Sequence, residues 1–419
     1  MHFRRNLLAL LAAVLPLAAA SIQSTKAEDV GFSSERLQRI HSAVQRHIDE
    51  HDISGAVTLV ARKGRIAHFE AHGAADLDSK KLMTKDGLFW IASMSKPITG
   101  VAILMLMEEG RIRLTDPVSK FVPEFKGMKV AVVQERPAGA PAPPPGAPPV
   151  FYTIPATREI TIQDLLTHVS GLASGGPASA AELAKVSRKP GEKLSDYIPR
   201  LATTPLDFQP GSRWTYSPGA AFDTLGRIVE IVSGQDFDTF LRQRLFEPLA
   251  MSDIFFHPPA DRLARVAATY HRVDGALRKV DTEARLSNTT YFSGAGGLMT
   301  DAEDYLHFGE MLLEGGQLNG KRLLGSRTVE LMASVFAPET LAGRAPGRGF
   351  GLSVQVVNNP IAAGYRVSPG SFGWDGAFGT HFWVDPKERI VGVLMVQTDN
   401  PNRQLDRDFE NAVIQALID

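Results

Sequence analysis

Apolar residues Leu37, Ile40, Val44 and Ile48 recur three or four positions apart in residues 33–53. That is the spacing of one face of a helix, and Ser34 stands where an N-cap belongs. The pattern then changes period. Residues 54–61 and 66–73 read as strands joined by the turn Arg62-Lys63-Gly64-Arg65. The run Ala56-Val57-Thr58-Leu59-Val60 is apolar on both faces, as in a strand covered on both sides. A second helix is predicted over 90–109, with Ile98, Val101, Ala102 and Met105 on one face. Residues 111 to about 290 are mostly helix and loop, with helical stretches at 228–232 and 237–246 separated by Gly234. Strand patterning returns from about Tyr291, at 349–357, 380–385 and 389–397, and residues 406–418 predict a closing helix. No internal repeat of 20 to 50 residues is present. Strands at both ends and helices in the middle predict an α/β domain formed by 28–110 and 291–419, interrupted by a helical insertion at 111–290. The cleft between the two parts is the expected place for a site.

The first 27 residues fall outside this pattern. Arg4 and Arg5 precede an apolar run at 7–20, too short to span a bilayer comfortably. Ala18 and Ala20 permit cleavage before Ser21, and Thr25 and Ala27 permit it slightly later. Residues 1–27 therefore read as a secretory signal, by the general route in preference to twin-arginine export. No later run of apolar residues is long enough to span a membrane. The expected location is a bacterial periplasm or exterior. Residues 135–150 (ERPAGAPAPPPGAPPV) cannot form a packed core, and they read as a surface loop.

Composition narrows the chemistry. The 419 residues hold 45 Lys+Arg against 46 Asp+Glu, so the basic excess of a nucleic-acid binder is missing. Cysteine is absent, which excludes disulfides, thiol nucleophiles and Cys-ligated metals. Three segments remain as chemical candidates. In Ser93-Met94-Ser95-Lys96 a serine and a lysine lie three apart on one helical face. Pro97 places them in a first turn, where free N–H groups favour developing negative charge. A lysine can help activate a serine, but the pattern is common by chance and also fits a serine cap beside a solvated lysine. Tyr216-Ser217 lies in a loop bounded by proline and glycine at 210–219. Its tyrosine can act as a base only if its pKa falls, as beside Lys96. Gly373-Trp374-Asp375-Gly376-Ala377 leads into a late strand. There glycines permit close backbone approach, and the N–H groups of Ala377 and Ser93 can serve as oxyanion donors.

The ordered set Ser93-x-x-Lys96, Tyr216-Ser217 and Trp374-Asp375-Gly376 resembles the serine β-lactamase and penicillin-binding protein superfamily. Within it, the class C and family VIII carboxylesterase branch is the nearest match. The phrases at 114–118, 161–172 and 293–300 agree, and the resemblance covers roughly 30–400. It implies an antiparallel-sheet α/β domain with a mostly helical inserted domain, and a serine hydrolase that forms an acyl-enzyme. By resemblance Ser93 is the nucleophile, Lys96 its activating partner, and Tyr216 the acylation base and leaving-group acid. Ala377 is the second oxyanion donor, framed by Trp374 and Gly376. His168 reads as structural. No cofactor or metal is implied, and no H-E-x-x-H pattern occurs.

Two departures shape the expected activity. The branch's Tyr-x-Asn ends here in Pro218, and its Lys-Thr-Gly is here Trp374-Asp375-Gly376. Both changes remove contacts suited to a β-lactam, so the expectation is an esterase acting on small-acyl esters. A β-lactamase or D-amino-acid peptidase is the alternative within the same chemistry. A catalytically inactive cell-wall or partner-binding protein is the alternative outside it.

Overall fold

The computed structural model describes residues 22–418 apart from 137, 140, 141, 143, 145, 287, 288, 400, 401 and 403. Its centre is an eight-stranded sheet in which every neighbouring pair is antiparallel. The chain's first half supplies β1 (Gly55–Arg62), β2 (Arg65–Asp76) and β3 (Lys81–Leu82). Its last fifth supplies β4 (Arg348–Phe350), β5 (Gln355–Val357), β6 (Ser371–Asp375), β7 (His381–Asp385) and β8 (Ile390–Val396). The order across the sheet is β4-β5-β6-β7-β8-β1-β2-β3, so the two chain ends join where β8 pairs with β1.

All eight residues of β1 are buried, and their alternation divides two cores. Val57, Leu59 and Ala61 face one core with Val391, Val393 and Met395. Ala56 and Val60 face the other with Leu394 and Val396. This is the strand covered on both sides that the sequence predicts. On the second face lie α1 (Ser34–Asp49), through Leu37, Ile40 and Val44, and the closing helix α5 (Gln404–Ile414), through Phe409 and Val413. On the first face lies α4 (Ala302–Leu313), with α2 (Ser95–Glu108) and α3 (Ala220–Ser233) beyond it. The core on that face continues without a break into helices Ile162–Leu166 and Leu194–Leu201.

Several boundaries differ from the sequence pattern. Ser33, not Ser34, caps α1 by accepting from the Arg36 N–H at 3.2 Å, while Ser34 turns to Glu28. Phe89–Trp90 is a short strand paired with Met299–Thr300, and Ala92–Met94 is a 3-10 turn, so α2 starts only at Ser95. Residues Ser95 to Leu106 are all buried, so α2 is apolar all round rather than on one face. The segment expected to be helical also holds two hairpins. They pair Lys129–Val133 with Phe151–Pro155 and Tyr270–Val273 with Ala276–Lys279. The proline-rich run closes the first hairpin, with the Gln134 N–H donating to the Val150 carbonyl at 2.9 Å. Among the described residues no helix is long and apolar enough to cross a membrane.

Candidate active site

Ser93 sits in the 3-10 turn ahead of α2, just after Ala92, whose φ of 43° is unusual for a residue with a Cβ. The turn presents the Ser93 hydroxyl to two partners. The Tyr216 hydroxyl donates to Ser93 Oγ at 2.5 Å, and Lys96 Nζ lies 3.1 Å from it. The three residues singled out from sequence therefore meet around one oxygen. Lys96 has no exposed surface, and its ammonium donates to the carbonyls of Pro218 at 2.8 Å and Ala295 at 2.7 Å. Burial lowers its pKa to about 7, against an opposing pull from Asp223.

Asp223 is the residue that sequence reasoning missed. It lies in the first turn of α3 and accepts from the Tyr291 hydroxyl at 2.7 Å, Ser293 Oγ at 2.6 Å and the Ala295 N–H at 3.1 Å. It thus fixes the loop whose Ala295 carbonyl holds Lys96. Burial pushes its pKa up, while these hydrogen bonds favour the charged form. The available signal was a lone carboxylate within Ala220-Ala221-Phe222-Asp223, a stretch too apolar to leave it solvated.

His168 is structural in its contacts. Helix Ile162–Leu166 opens on a capping box between Thr161 and Asp164 and ends so that His168 takes a φ of 58°. Its ring is buried among Trp214, Tyr216, Phe222, Phe350 and Trp374. Its Nδ1 accepts from the Ser217 N–H at 3.2 Å, and its carbonyl accepts from the Thr215 N–H at 3.1 Å. Both neighbours of Tyr216 are therefore tied to one residue. Burial first, then the charges of Lys96 and Arg344, keep the imidazole neutral.

A cavity of about 480 Å³ is lined by Ser93 and Tyr216 together with Trp374, Asp375, Gly376 and Ala377. Lys96 lies beneath its floor. Gly376 is required by space, since a Cβ there would stand 2.5 Å from the Ile91 carbonyl oxygen and clash with Thr380. Its absence lets the end of β6 close on the turn that carries Ser93. Trp374 packs on Tyr216 and His168.

A profile of the family described as Beta-lactamase matches residues 40–417 of this chain. The chain belongs to the β-lactamase family. Its relatives include the esterase EstB of Burkholderia gladioli, 29% identical over 399 residues, with 86% of this chain and 90% of EstB covered. A putative D-alanyl-D-alanine carboxypeptidase of Escherichia coli K12 is 25% identical over 420 residues, with 93% and 89% covered. Among solved structures, EstCE1, "a hydrolase with promiscuous acyltransferase activity", superposes with a TM-score of 0.77 at 26% identity, covering 91% of this chain and 99% of that one. The antiparallel sheet with flanking helices is thus the family's fold.

Within this β-lactamase-family fold the two departures acquire geometry. Pro218 still takes part in the site, through its carbonyl on Lys96. Asp375 lines the cavity, and its Oδ1 meets His381 Nδ1 at 2.6 Å. His381 Nε2 meets Glu410 Oε1 of α5 at 3.1 Å. Burial disfavours an imidazolium, yet the two carboxylates raise the His381 pKa well above its usual value. Asp375, His381 and Asp406 lie close enough to share an ion, but both His381 nitrogens already face carboxylates. On the same wall the guanidinium groups of Arg348 and Arg407 stand 4.5 and 5.6 Å from the centre of the Tyr365 ring.

Proposed function

We propose that this chain is an exported carboxylic ester hydrolase that works through an acyl-enzyme on Ser93. The observation that carries the reading is the Ser93 hydroxyl held between Tyr216 and Lys96 on the floor of an open cavity. Ser93 Oγ attacks the ester carbonyl carbon while its proton passes to the Tyr216–Lys96 pair. The N–H groups of Ser93 and Ala377 take the oxyanion. Collapse of the tetrahedral intermediate expels the alkoxide, which takes the proton back from the pair as the alcohol leaves. Water then attacks the acyl-enzyme with the same pair as base, releasing the acid and restoring Ser93.

The residues at the end of β6 support esters over anionic lactams. At the triplet where the branch's lysine would meet a lactam's carboxylate, this chain has Asp375, paired with His381, while the cavity's Arg348 and Arg407 stand against Tyr365. Proximity to such a carboxylate is unfavourable, more so where water is excluded. An ester substrate needs no anion partner.

The export reading rests on the charged and apolar pattern of residues 1–20, and the packing that follows bears on where cleavage would fall. Ile22 is buried, and Gln23 and Thr25 hydrogen-bond to Ile66 at the start of β2. Cleavage before Ser21 leaves these contacts whole, whereas cleavage after Ala27 removes them. The apolar run at 7–20 lies outside the described residues.

A panel of short-acyl aryl esters and a chromogenic cephalosporin, with Ser93→Ala as control, tests the reading. Ester turnover is expected and falls to background in the variant, and a fluorophosphonate labels Ser93. Far higher efficiency on the cephalosporin would favour amide chemistry. Full activity in Ser93→Ala would displace the nucleophile. Absence of labelling would leave a binding protein.

A further inference from the structure

We propose that His41, Glu70 and His72 form a binding site for a single Zn²⁺ ion on the face of the sheet covered by α1. The pattern begins in β2, where His68, Glu70 and His72 occupy alternate positions. Alternate residues of a strand project to one face. Their cross-strand partners Val60, Thr58 and Ala56 all belong to the face of β1 packed against α1. From α1, His41 reaches the same spot, with its Nδ1 2.7 Å from Glu70 Oε1.

His72 points to a ligand beyond a simple ion pair. Its ring is buried, with 3% of the residue exposed, and its Nδ1 has no hydrogen-bond partner. That nitrogen stands 3.8 Å from Glu70 Oε1, too far for a hydrogen bond, and the three donor atoms lie within 4.8 Å of one another. Tetrahedral zinc with bonds of about 2.0–2.1 Å sets its ligand atoms about 3.3 Å apart. The two Glu70 spacings reach that value when the His41–Glu70 contact opens and the His72–Glu70 gap closes by about half an ångström each, and a turn of the half-exposed His41 ring brings its Nδ1 toward that of His72.

The other side of the ring is anchored as in metal-ligating histidines. His72 Nε2 lies 2.9 Å from Thr58 Oγ1, and His68 Nε2 lies 2.7 Å from the same oxygen. One hydroxyl proton serves only one of these rings. When His72 Nε2–H donates to Thr58 and Thr58 donates to His68, the Nδ1 of His72 is left as a lone pair facing Glu70 and His41. A second hydrogen bond that fixes the tautomer is the usual support of a zinc-bound imidazole. Two imidazoles and a carboxylate suit Zn²⁺ and leave one position for water. The half-exposed His41 and a cleft of about 380 Å³ bordered by His68 and Glu70 give the ion a way in. The site lies four strands from β6, about 19 Å along the sheet. It is therefore independent of the hydrolase chemistry, for which the sequence implied no metal.

The test is calorimetric titration of the metal-stripped chain, prepared without a histidine tag, with Zn²⁺ alone. One ion per chain and a higher thermal midpoint with zinc are expected. Affinity should fall at least tenfold in His41→Ala, whose exposed side chain can be removed without disturbing the fold. Thr58→Val keeps all three ligands and should weaken binding tenfold to a hundredfold by freeing the ring. Absence of stoichiometric binding would overturn the proposal, as would unchanged affinity in His41→Ala.

Discussion

Lys96 is an amine with no exposed surface, and its surroundings decide how the Ser93 hydroxyl can be activated. Burial penalises the ammonium, so its pKa falls from 10.5 to about 7. The base form of the Tyr216–Lys96 pair is the one that has lost a proton. We therefore expect kcat/KM on a neutral aryl ester to rise as pH increases through about 7 and to level off above it. A profile still rising near pH 10 would show that Lys96 keeps an ordinary pKa. The same shift acts on stability with a definite sign. Between pH 7 and 10.5 the unfolded chain holds a proton that folded Lys96 has lost, so this residue's contribution makes the fold more stable as pH rises through that window. Tyr216 donates to the nucleophile at 2.5 Å. Tyr216→Phe is expected to lower kcat by 10²- to 10⁴-fold in steady-state assays while the fold persists.

At the scale of elements, the phrase at 161–172 has a mechanical explanation. Thr161 Oγ1 accepts from the Asp164 N–H at 3.2 Å, Asp164 Oδ2 accepts from the Thr161 N–H at 2.8 Å, and Arg158 grips the same carboxylate. This cap starts a five-residue helix whose end delivers His168 to the aromatic cluster around Tyr216. Thr161→Val should cost about 1 kcal/mol in denaturant unfolding. It should also reduce kcat, because Thr215 and Ser217 hang from His168. A stability loss without any change in kcat would separate the cap from the site. The turn between β1 and β2 was legible for a similarly local reason. Lys63 and Gly64 have φ of 53° and 76°, the double left-handed geometry of a two-residue hairpin turn. The start of α2 was not legible. Its apolar run continues into Phe89–Trp90, and only pairing with Met299–Thr300 makes that end a strand.

Over the whole molecule, the sheet is closed by residues more than 300 positions apart, as in the pairing of Val57 with Met395. The site depends on that closure. Ser93 precedes α2, Tyr216 precedes α3, and Ala377 follows β6 at the far end of the chain. The proline-rich run lies between the hairpin strands where Val133 pairs with Phe151, and none of its described residues lines the cavity. Replacing 134–150 by a two-residue Asn-Gly turn should leave ester turnover and the thermal midpoint nearly unchanged. Loss of activity in a folded variant would assign that loop to substrate binding.

The sequence alone determined what rests on local periodicity and on residue chemistry. It placed the helix α1 and the doubly covered β1, and it offered Ser93, Lys96 and Tyr216 as candidates whose roles came from the ordered set's resemblance to a family. Side-chain spacing and turn geometry are properties of neighbouring residues, so these features are written into short stretches of chain. Only the tertiary structure decided that Pro218 and Ala295 offer their carbonyls to Lys96, that Asp223 fixes the loop behind them, and that Asp375 faces the cavity. Each of these joins segments tens to hundreds of residues apart. Backbone carbonyls are common to every residue type, and a carboxylate's orientation depends on which neighbours surround it once the chain has closed.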